Sequence, residues 1–201
     1  MKTKIIYLLL FFSLYTACTK DPKGSGCGPV EDIYFRFTDT FATSLVDVYK
    51  QGDTLKLKHN SGTIYYFIAQ KPDTGFAFEK PVTGGYCDGD NYYLQYYQIE
   101  LKPTVTSLTK FVIKVYYTQE NLKRFRIEFN DGYYQTTPGS FPTPPSNLYV
   151  NNFNANGLKY NNVGRIPYNY EYTDTASLYY SRAAGIIKVI KKNGEYFELE
   201  P

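Results

Sequence analysis

A chain of 201 residues, 43% of them hydrophobic, is long enough to fold as one domain around a sizeable core. Its 22 Lys and Arg residues against 19 Asp and Glu residues give a formal charge of +3. Lys2 and Lys4 carry two of these charges, so the rest of the chain is nearly neutral. This balance excludes the basic character of a nucleic-acid-binding domain, and we expect no nucleic-acid partner.

Residues 1–17 have the three parts of a signal peptide. The charged Lys2 and Lys4 precede an apolar stretch at 5–15, and two small residues then mark a cleavage point before Cys18. The alternative is a transmembrane anchor, but the apolar stretch is well short of the ~20 residues that span a bilayer. We therefore expect residues 1–17 to be removed.

The segment around Cys18 resembles the lipobox of bacterial lipoproteins, in which a Cys becomes the acylated N-terminus. Ala17 fits this pattern, whereas Tyr15 stands where Leu is usual, a departure that lipoproteins of the Bacteroidota tolerate. Lys20 and Asp21 resemble the signal that follows the Cys in surface-exported members. The resemblance implies palmitate-type acyl chains on Cys18 that hold the protein on the outer membrane, at its periplasmic or cell-surface face. Two or three acyl chains anchor a protein stably, whereas one does not.

Residues 18–29 are small, polar and rich in Gly and Pro, which is typical of a flexible tether. Residues 30–201 then form the folded domain. The two remaining cysteines are Cys27 in the tether and Cys87 in the domain. An exported protein can join such residues in a disulfide, but the sequence equally allows two separate thiols, and we leave both possibilities open.

Beyond residue 29 the chain is rich in Tyr, Phe and β-branched residues and shows no sustained helical period, which predicts an all-β domain. Many short strands joined by local turns favour a single antiparallel sheet of meander type, with a β-sandwich as the alternative. The Pro-rich residues 137–147 are expected to form a loop. Besides three hairpins, the predicted strands are 33–37, 92–101, 148–153, 168–172 and 178–180.

Three stretches predict hairpins of one type, with a three-residue loop whose last residue is left-handed. The loops are 60–62, 119–121 and 192–194, ending at Gly62, Asn121 and Gly194. These registers pair Leu57 with Tyr65, Val115 with Phe125, and Val189 with Phe197. A slip of one residue would mix the apolar and polar faces. The middle register also sets Lys114 opposite Arg126, which is mildly unfavourable.

The C-terminal residues 179–182, 185–188 and 197–199 resemble the closing hairpin of many Bacteroidota lipoproteins, which run from Tyr-Tyr-Ser through Gly-Ile-Ile-Lys to an aromatic-Glu-Leu. The resemblance implies a strongly curved antiparallel sheet or half-barrel. Most such proteins have no assigned activity, so it supplies no catalytic residue.

The sequence contains no catalytic signature. Its single histidine, His59, lies beside a predicted turn, and the cysteines lack the spacing of a metal site. The segment 88–91, Asp-Gly-Asp-Asn, partly resembles a Ca²⁺ loop but lacks the later Glu, so we interpret it as a turn. We therefore predict neither a catalytic residue, a metal nor a cofactor.

Tyrosine is the one unusual residue type, with 23 in the chain. Six adjacent pairs occur, at 65–66, 92–93, 96–97, 116–117, 133–134 and 179–180. In a strand, one Tyr of each pair faces the core and the other faces outward. Outward rings suit cross-strand packing, stacking on sugars or an apolar groove. We expect a lipid-anchored envelope protein with a non-enzymatic binding or interaction role. A glycan-binding accessory protein, or a carrier of an apolar molecule, is the alternative.

Overall fold

The computed structural model describes residues 30–38, 40–80, 90–129, 132–136, 149–167 and 175–201. Strands make up 59% of the structure, and most of them belong to one largely antiparallel sheet that curls into a half-barrel, as predicted, rather than to a β-sandwich. The elements are β1 Asp32–Phe35, α1 Thr40–Ser44, β2 Thr54–His59, β3 Ile64–Ala69, β4 Asp73–Glu79, β5 Asn91–Pro103, β6 Phe111–Tyr117, β7 Lys123–Phe129, β8 Gly132–Thr136, β9 Tyr149–Val150, β10 Phe153–Ala155, β11 Leu158–Tyr160, β12 Val163–Pro167, β13 Thr175–Ser181, β14 Gly185–Lys191 and β15 Tyr196–Leu199.

The strands of the main sheet follow the order β8-β7-β6-β5-β3-β2-β15-β14-β13-β12-β9, while β1 and β4 each pair with β5 beside this path. The last strand, β15, lies between β2 and β14 and so joins the two halves of the chain. The sheet curls until β12, near one end, approaches β8 at the other. Across the interior, the rings of Phe125 on β7 and Tyr180 on β13 lie 5.2 Å apart.

The three predicted hairpins form with the predicted registers. Leu57 lies opposite Tyr65, Val115 opposite Phe125, and Val189 opposite Phe197. The last loop residues are left-handed, with φ of +94° at Gly62, +55° at Asn121 and +86° at Gly194. Lys114 also faces Arg126, as expected, and its ammonium lies 4.8 Å from the centre of the Tyr96 ring.

Other elements depart from the sequence prediction. Strand β1 pairs in parallel with β5, whereas the rest of the main sheet is antiparallel. The predicted strand 148–153 is interrupted, because Asn152 adopts φ +55° between β9 and β10. Helix α1 and strands β4, β8, β10, β11 and β12 had not been predicted. The predicted strand 168–172 and the predicted loop 137–147 lie outside the described residues.

The concave side of the sheet is filled by its own side chains. Aromatic rings pack closely there, and Phe111 stacks on Phe129 with ring centres 4.1 Å apart. The core residues with no exposed surface include Phe67, Ile99, Leu101, Phe111, Ile113, Val115, Phe125, Ile127, Leu178, Tyr180, Ile186 and Val189.

The segment that begins with α1 closes this core. Ala42, Leu45 and Val46 are fully buried, so the segment packs into the concave side. The Tyr180 hydroxyl donates to the carbonyl oxygen of Leu45. The Ile186 backbone N–H donates to the Tyr49 hydroxyl at 2.8 Å. The two tyrosines therefore fasten the segment to β13 and β14.

Candidate functional site

Strand β5 extends beyond the core, so the concave face of the sheet is partly exposed to solvent at the start of this strand. Ile99 and Leu101 point into the core and are fully buried. Side chains alternate along a strand, so Tyr93, Gln95 and Tyr97 lie on the same face as these two residues. Those three are only partly buried, because β5 is paired there with β4 and β1 at one end of the sheet.

Four aromatic residues cluster on this open end of the concave face, and we call Tyr34, Phe76, Phe78 and Tyr93 the aromatic face. Tyr34 and Phe78 lie opposite Tyr93 on the two neighbouring strands, which forms a continuous row. Tyr34 stacks on Tyr93 with ring centres 4.5 Å apart and planes 8° apart, and Phe78 lies 5.5 Å from Tyr93. Phe76 meets the Tyr34 ring edge-on at 5.6 Å.

The aromatic face is accessible to solvent. Phe78 is 57% exposed, Tyr34 47% and Phe76 39%. The guanidinium of Arg36 lies 5.2 Å from the centre of the Phe76 ring and 5.4 Å from that of Tyr34. A cation at this distance attracts the ring faces and helps to hold the rings in place. The result is a preordered apolar platform with one positive charge at its border.

A mostly apolar cleft of about 360 Å³ adjoins the aromatic face. It lies between β4, β5 and the start of the α1 segment, and most of its lining residues carry a hydroxyl or an amide, although apolar atoms form most of its surface. The lining residues are Phe37, Thr38, Thr40, Thr43, Thr74, Gln95 and Tyr97. Apolar rings beside a few fixed polar groups are the usual composition of a small-molecule site.

Hydrogen bonds fix the polar side chains of the cleft. The Phe37 backbone N–H donates to Oε1 of Gln95 at 2.7 Å. This contact fixes the orientation of the Gln95 amide, with its oxygen toward Phe37. The Tyr97 hydroxyl donates to Oδ1 of Asp47 at 2.6 Å. Burial and the Asp47 carboxylate together raise the pKa of Tyr97 to about 12, so Tyr97 stays neutral at physiological pH.

The structure separates the paired tyrosines largely as expected. Tyr117 and Tyr180 are buried, whereas their neighbours are only partly buried, and Tyr65 packs against the core while Tyr66 is exposed. Tyr96 and Tyr116 lie opposite each other on the outward face, whereas Tyr66 lies on β3 and Tyr179 on β13. Of the predicted pairs, only Tyr93 joins the aromatic face, and the side chains of the pair at 133–134 lie outside the described residues.

The remaining predicted residues serve local structure where they are described. Nδ1 of His59 lies 2.7 Å from Oγ of Ser61 within the first hairpin loop, as expected for a turn histidine. Oδ1 of Asp90 accepts the Glu31 backbone N–H at 3.1 Å, which ties the start of β1 to β5. No group of His, Cys, Asp and Glu in the described ranges has the arrangement of a metal site.

The three cysteines, Cys18, Cys27 and Cys87, lie outside the described residues. The predicted signal peptide and tether fall there as well. In the part of the chain that the structure covers, no helix is long and apolar enough to cross a bilayer.

Two members of the aromatic face, Phe76 and Phe78, were not identified from the sequence. Their signal was present in Asp73–Glu79, where Phe alternates with small residues as in a strand with one apolar face. Tyr34 was part of a predicted strand, but its neighbours could not be known. The parallel pairing of β1 with β5 is a contact between distant segments, and it brings Tyr34 onto Tyr93.

Comparison with known proteins gives no match: no family model, no curated protein and no solved structure resembles the chain significantly. The function is therefore inferred from the sequence and from the geometry of the site.

Proposed function

We propose that this chain is a lipid-anchored envelope protein that binds a glycan at the aromatic face without transforming it. The observation that carries this proposal is the aromatic face itself, a row of packed, exposed rings beside a mostly apolar cleft that is lined in part by Thr and Gln side chains. Sugars present apolar C–H faces that stack on aromatic rings, and their hydroxyls need polar partners close by.

The cleft supplies such partners. Thr38 and Thr40, which carry hydroxyls, are among its lining residues, and the Gln95 amide oxygen accepts the Phe37 N–H, so the Gln95 amide nitrogen is the group that would donate to a ligand. A row of rings across β1, β5 and β4 fits an extended ligand better than a compact one. An oligosaccharide chain would lie along the rings with its end in the cleft.

The filled interior favours this proposal over a carrier role. An apolar cargo needs an empty apolar space inside the curved sheet, whereas Phe67, Phe111 and Phe125 occupy that space and are fully buried. The α1 segment packs into the same concave side and fills more of this interior space. Within the described residues we find no support for an apolar ligand in the core.

Binding is tested with short cello-, malto- and xylo-oligosaccharides by isothermal titration calorimetry. We expect at least one series to bind, and Phe78→Ala to weaken its binding about tenfold, because a lost stacking contact removes about 1–2 kcal/mol. Phe78 is mostly exposed, so this variant keeps its fold. Tyr66→Ala is the matched control, since Tyr66 is 43% exposed on the convex face and should bind like the unaltered chain.

Two outcomes would contradict the proposal. Unchanged binding in Phe78→Ala would show that the ligand binds elsewhere. A failure of all three oligosaccharide series to bind would contradict glycan binding. Turnover of a bound oligosaccharide that is lost in Asp47→Asn would contradict the non-enzymatic role, because Asp47 is a carboxylate beside the cleft.

The anchor is proposed at Cys18, with residues 1–17 removed and residues 18–29 as the tether, at the outer membrane. Support comes from the lipobox-like segment and from the polar tether that follows it. We expect metabolic labelling with palmitate in the unaltered chain and none in Cys18→Ala. Cys27→Ala is the control and should keep the label, whereas label retained in Cys18→Ala would exclude this anchor.

A further inference from the structure

A row of exposed apolar side chains lies on the convex face of β3, and we call Ile64, Tyr66 and Ile68 the β3 stripe. They alternate along the strand with core residues, so all three point away from the interior. Their exposed fractions are 37%, 43% and 40%, whereas Phe67 between them is fully buried. Single exposed apolar residues are common on protein surfaces, but a continuous row of them indicates a contact surface.

Lysines flank the β3 stripe on both sides. Lys58 lies opposite Ile64 and Lys56 opposite Tyr66 on β2, and Lys102 lies opposite Ile68 on β5. Nζ of Lys56 donates to the carbonyl oxygen of Pro201 at 3.3 Å.

Of these lysines, Lys102 is exposed, whereas Lys56 and Lys58 are partly buried. Lys102 is 56% exposed and lies 4.0 Å from Glu100, which pairs more closely with Lys110. In the described ranges Lys58 forms no ion pair, since its cross-strand neighbour Glu198 binds Lys188 instead. The β3 stripe is therefore bordered by three lysines, with Glu198 as an acidic neighbour of Lys58.

We propose that the β3 stripe lies against an anionic lipid surface. Aliphatic and tyrosine side chains enter the interface between headgroups and acyl chains, while lysines beside them meet the phosphates. Three partly exposed side chains are too few for a stable protein interface, which takes about 20–30 residues from each partner. They suffice for a shallow contact with a membrane surface, to which the attraction between the lysines and the lipid phosphates also contributes.

The orientation that follows is compatible with the proposed ligand site. The β3 stripe lies on the convex face, whereas Tyr34, Phe78 and Tyr93 lie on the concave side at the other end of β5. A bilayer against the β3 stripe therefore leaves the aromatic face open. This inference does not depend on glycan binding, because it uses a different face and different residues.

The chain contains no Trp, so Tyr66→Trp introduces a single reporter at the β3 stripe. The full chain is mixed with vesicles of phosphatidylcholine, or of phosphatidylcholine with phosphatidylglycerol, that carry brominated acyl chains. Bromine quenches only a tryptophan that lies at the depth of the acyl chains. Phe78→Trp is the matched control, since Phe78 is exposed on the aromatic face.

We expect a blue shift and several-fold stronger quenching in Tyr66→Trp than in Phe78→Trp, and only with phosphatidylglycerol. Adding Lys56→Gln and Lys58→Gln should reduce that quenching. Equal quenching in the two variants, or equal quenching in the two kinds of vesicle, would overturn the proposal. A blue shift of Tyr66→Trp that grows with protein concentration without vesicles would overturn it too, because it would show a second copy of the chain on the β3 stripe.

Discussion

A single glycine controls how the α1 segment enters the core. Gly185 begins β14 with φ +74°, and the Tyr49 ring packs directly over its Cα. A β-carbon at this position would lie 2.1 Å from Oη of Tyr49, the atom that accepts the Ile186 N–H. Burial is the main cause that raises the pKa of both Tyr49 and Tyr180, so these hydroxyls stay neutral and act as hydrogen-bonding groups.

Gly185→Ala should therefore destabilise the domain by about 2–4 kcal/mol, the combined cost of overpacking and of a left-handed Ala. Gly194→Ala is the matched control: its φ is +86°, but no atom lies within 4 Å of the added carbon, so about 1 kcal/mol is expected. Urea unfolding measures the loss of stability in both variants. Equal losses in the two variants would show that Tyr49 does not limit the space at Gly185.

At the scale of elements, the hairpins follow from local chemistry. A three-residue loop needs a left-handed last residue, and the apolar pairing on the inner face then leaves only one register that keeps the core apolar. The middle hairpin meets this requirement with Asn121, whose N–H donates to the Thr118 carbonyl at 3.0 Å. Asn adopts this conformation at a greater cost than Gly.

Asn121→Gly should raise the free energy of unfolding by about 0.5–1 kcal/mol, because Gly adopts the left-handed conformation without the Cβ clash. Asn121→Ala should lower the free energy of unfolding by about 1 kcal/mol, because Ala adopts the left-handed conformation at a greater cost than Asn. Thermal and urea unfolding of the two variants measure whether each substitution raises or lowers the free energy of unfolding. A loss of stability in Asn121→Gly would mean that the Asn side chain itself stabilises the loop.

At the scale of the whole molecule, β15 unites the two halves of the chain. Phe197 on this strand contacts His59 and Tyr65 from the first hairpin and Phe129 from β7, with ring centres 4.9, 5.7 and 6.4 Å away. Its own partner on β14 is Val189. One side chain thus joins early, middle and late parts of the sequence in one core.

Phe197→Ala should cost about 3–5 kcal/mol, because the cavity it leaves is bordered by rigid strands that cannot collapse into it. Tyr196→Ala is the control: Tyr196 points to the convex face and is only partly buried, so a loss below about 1 kcal/mol is expected. Fluorescence and circular dichroism should report one shared transition in both variants. Separate transitions would mean that the halves fold independently.

The sequence by itself determined the all-β class, the three hairpins and their registers. Each of these depends on residues close in the chain: alternation of apolar side chains, and a Gly or Asn at the loop position that needs a left-handed backbone. Only the tertiary structure decided the parallel pairing of β1, the place of β15 beside β2 and the burial of Tyr49.

The aromatic face belongs to the second group. Tyr34, Phe76 and Tyr93 come from three strands, and their spacing depends on contacts between segments far apart in the chain. Local pattern could show that each strand has an apolar side, but not which of these sides would be exposed among the described residues. That was decided by how far β5 extends past the core, which is a property of the assembled sheet.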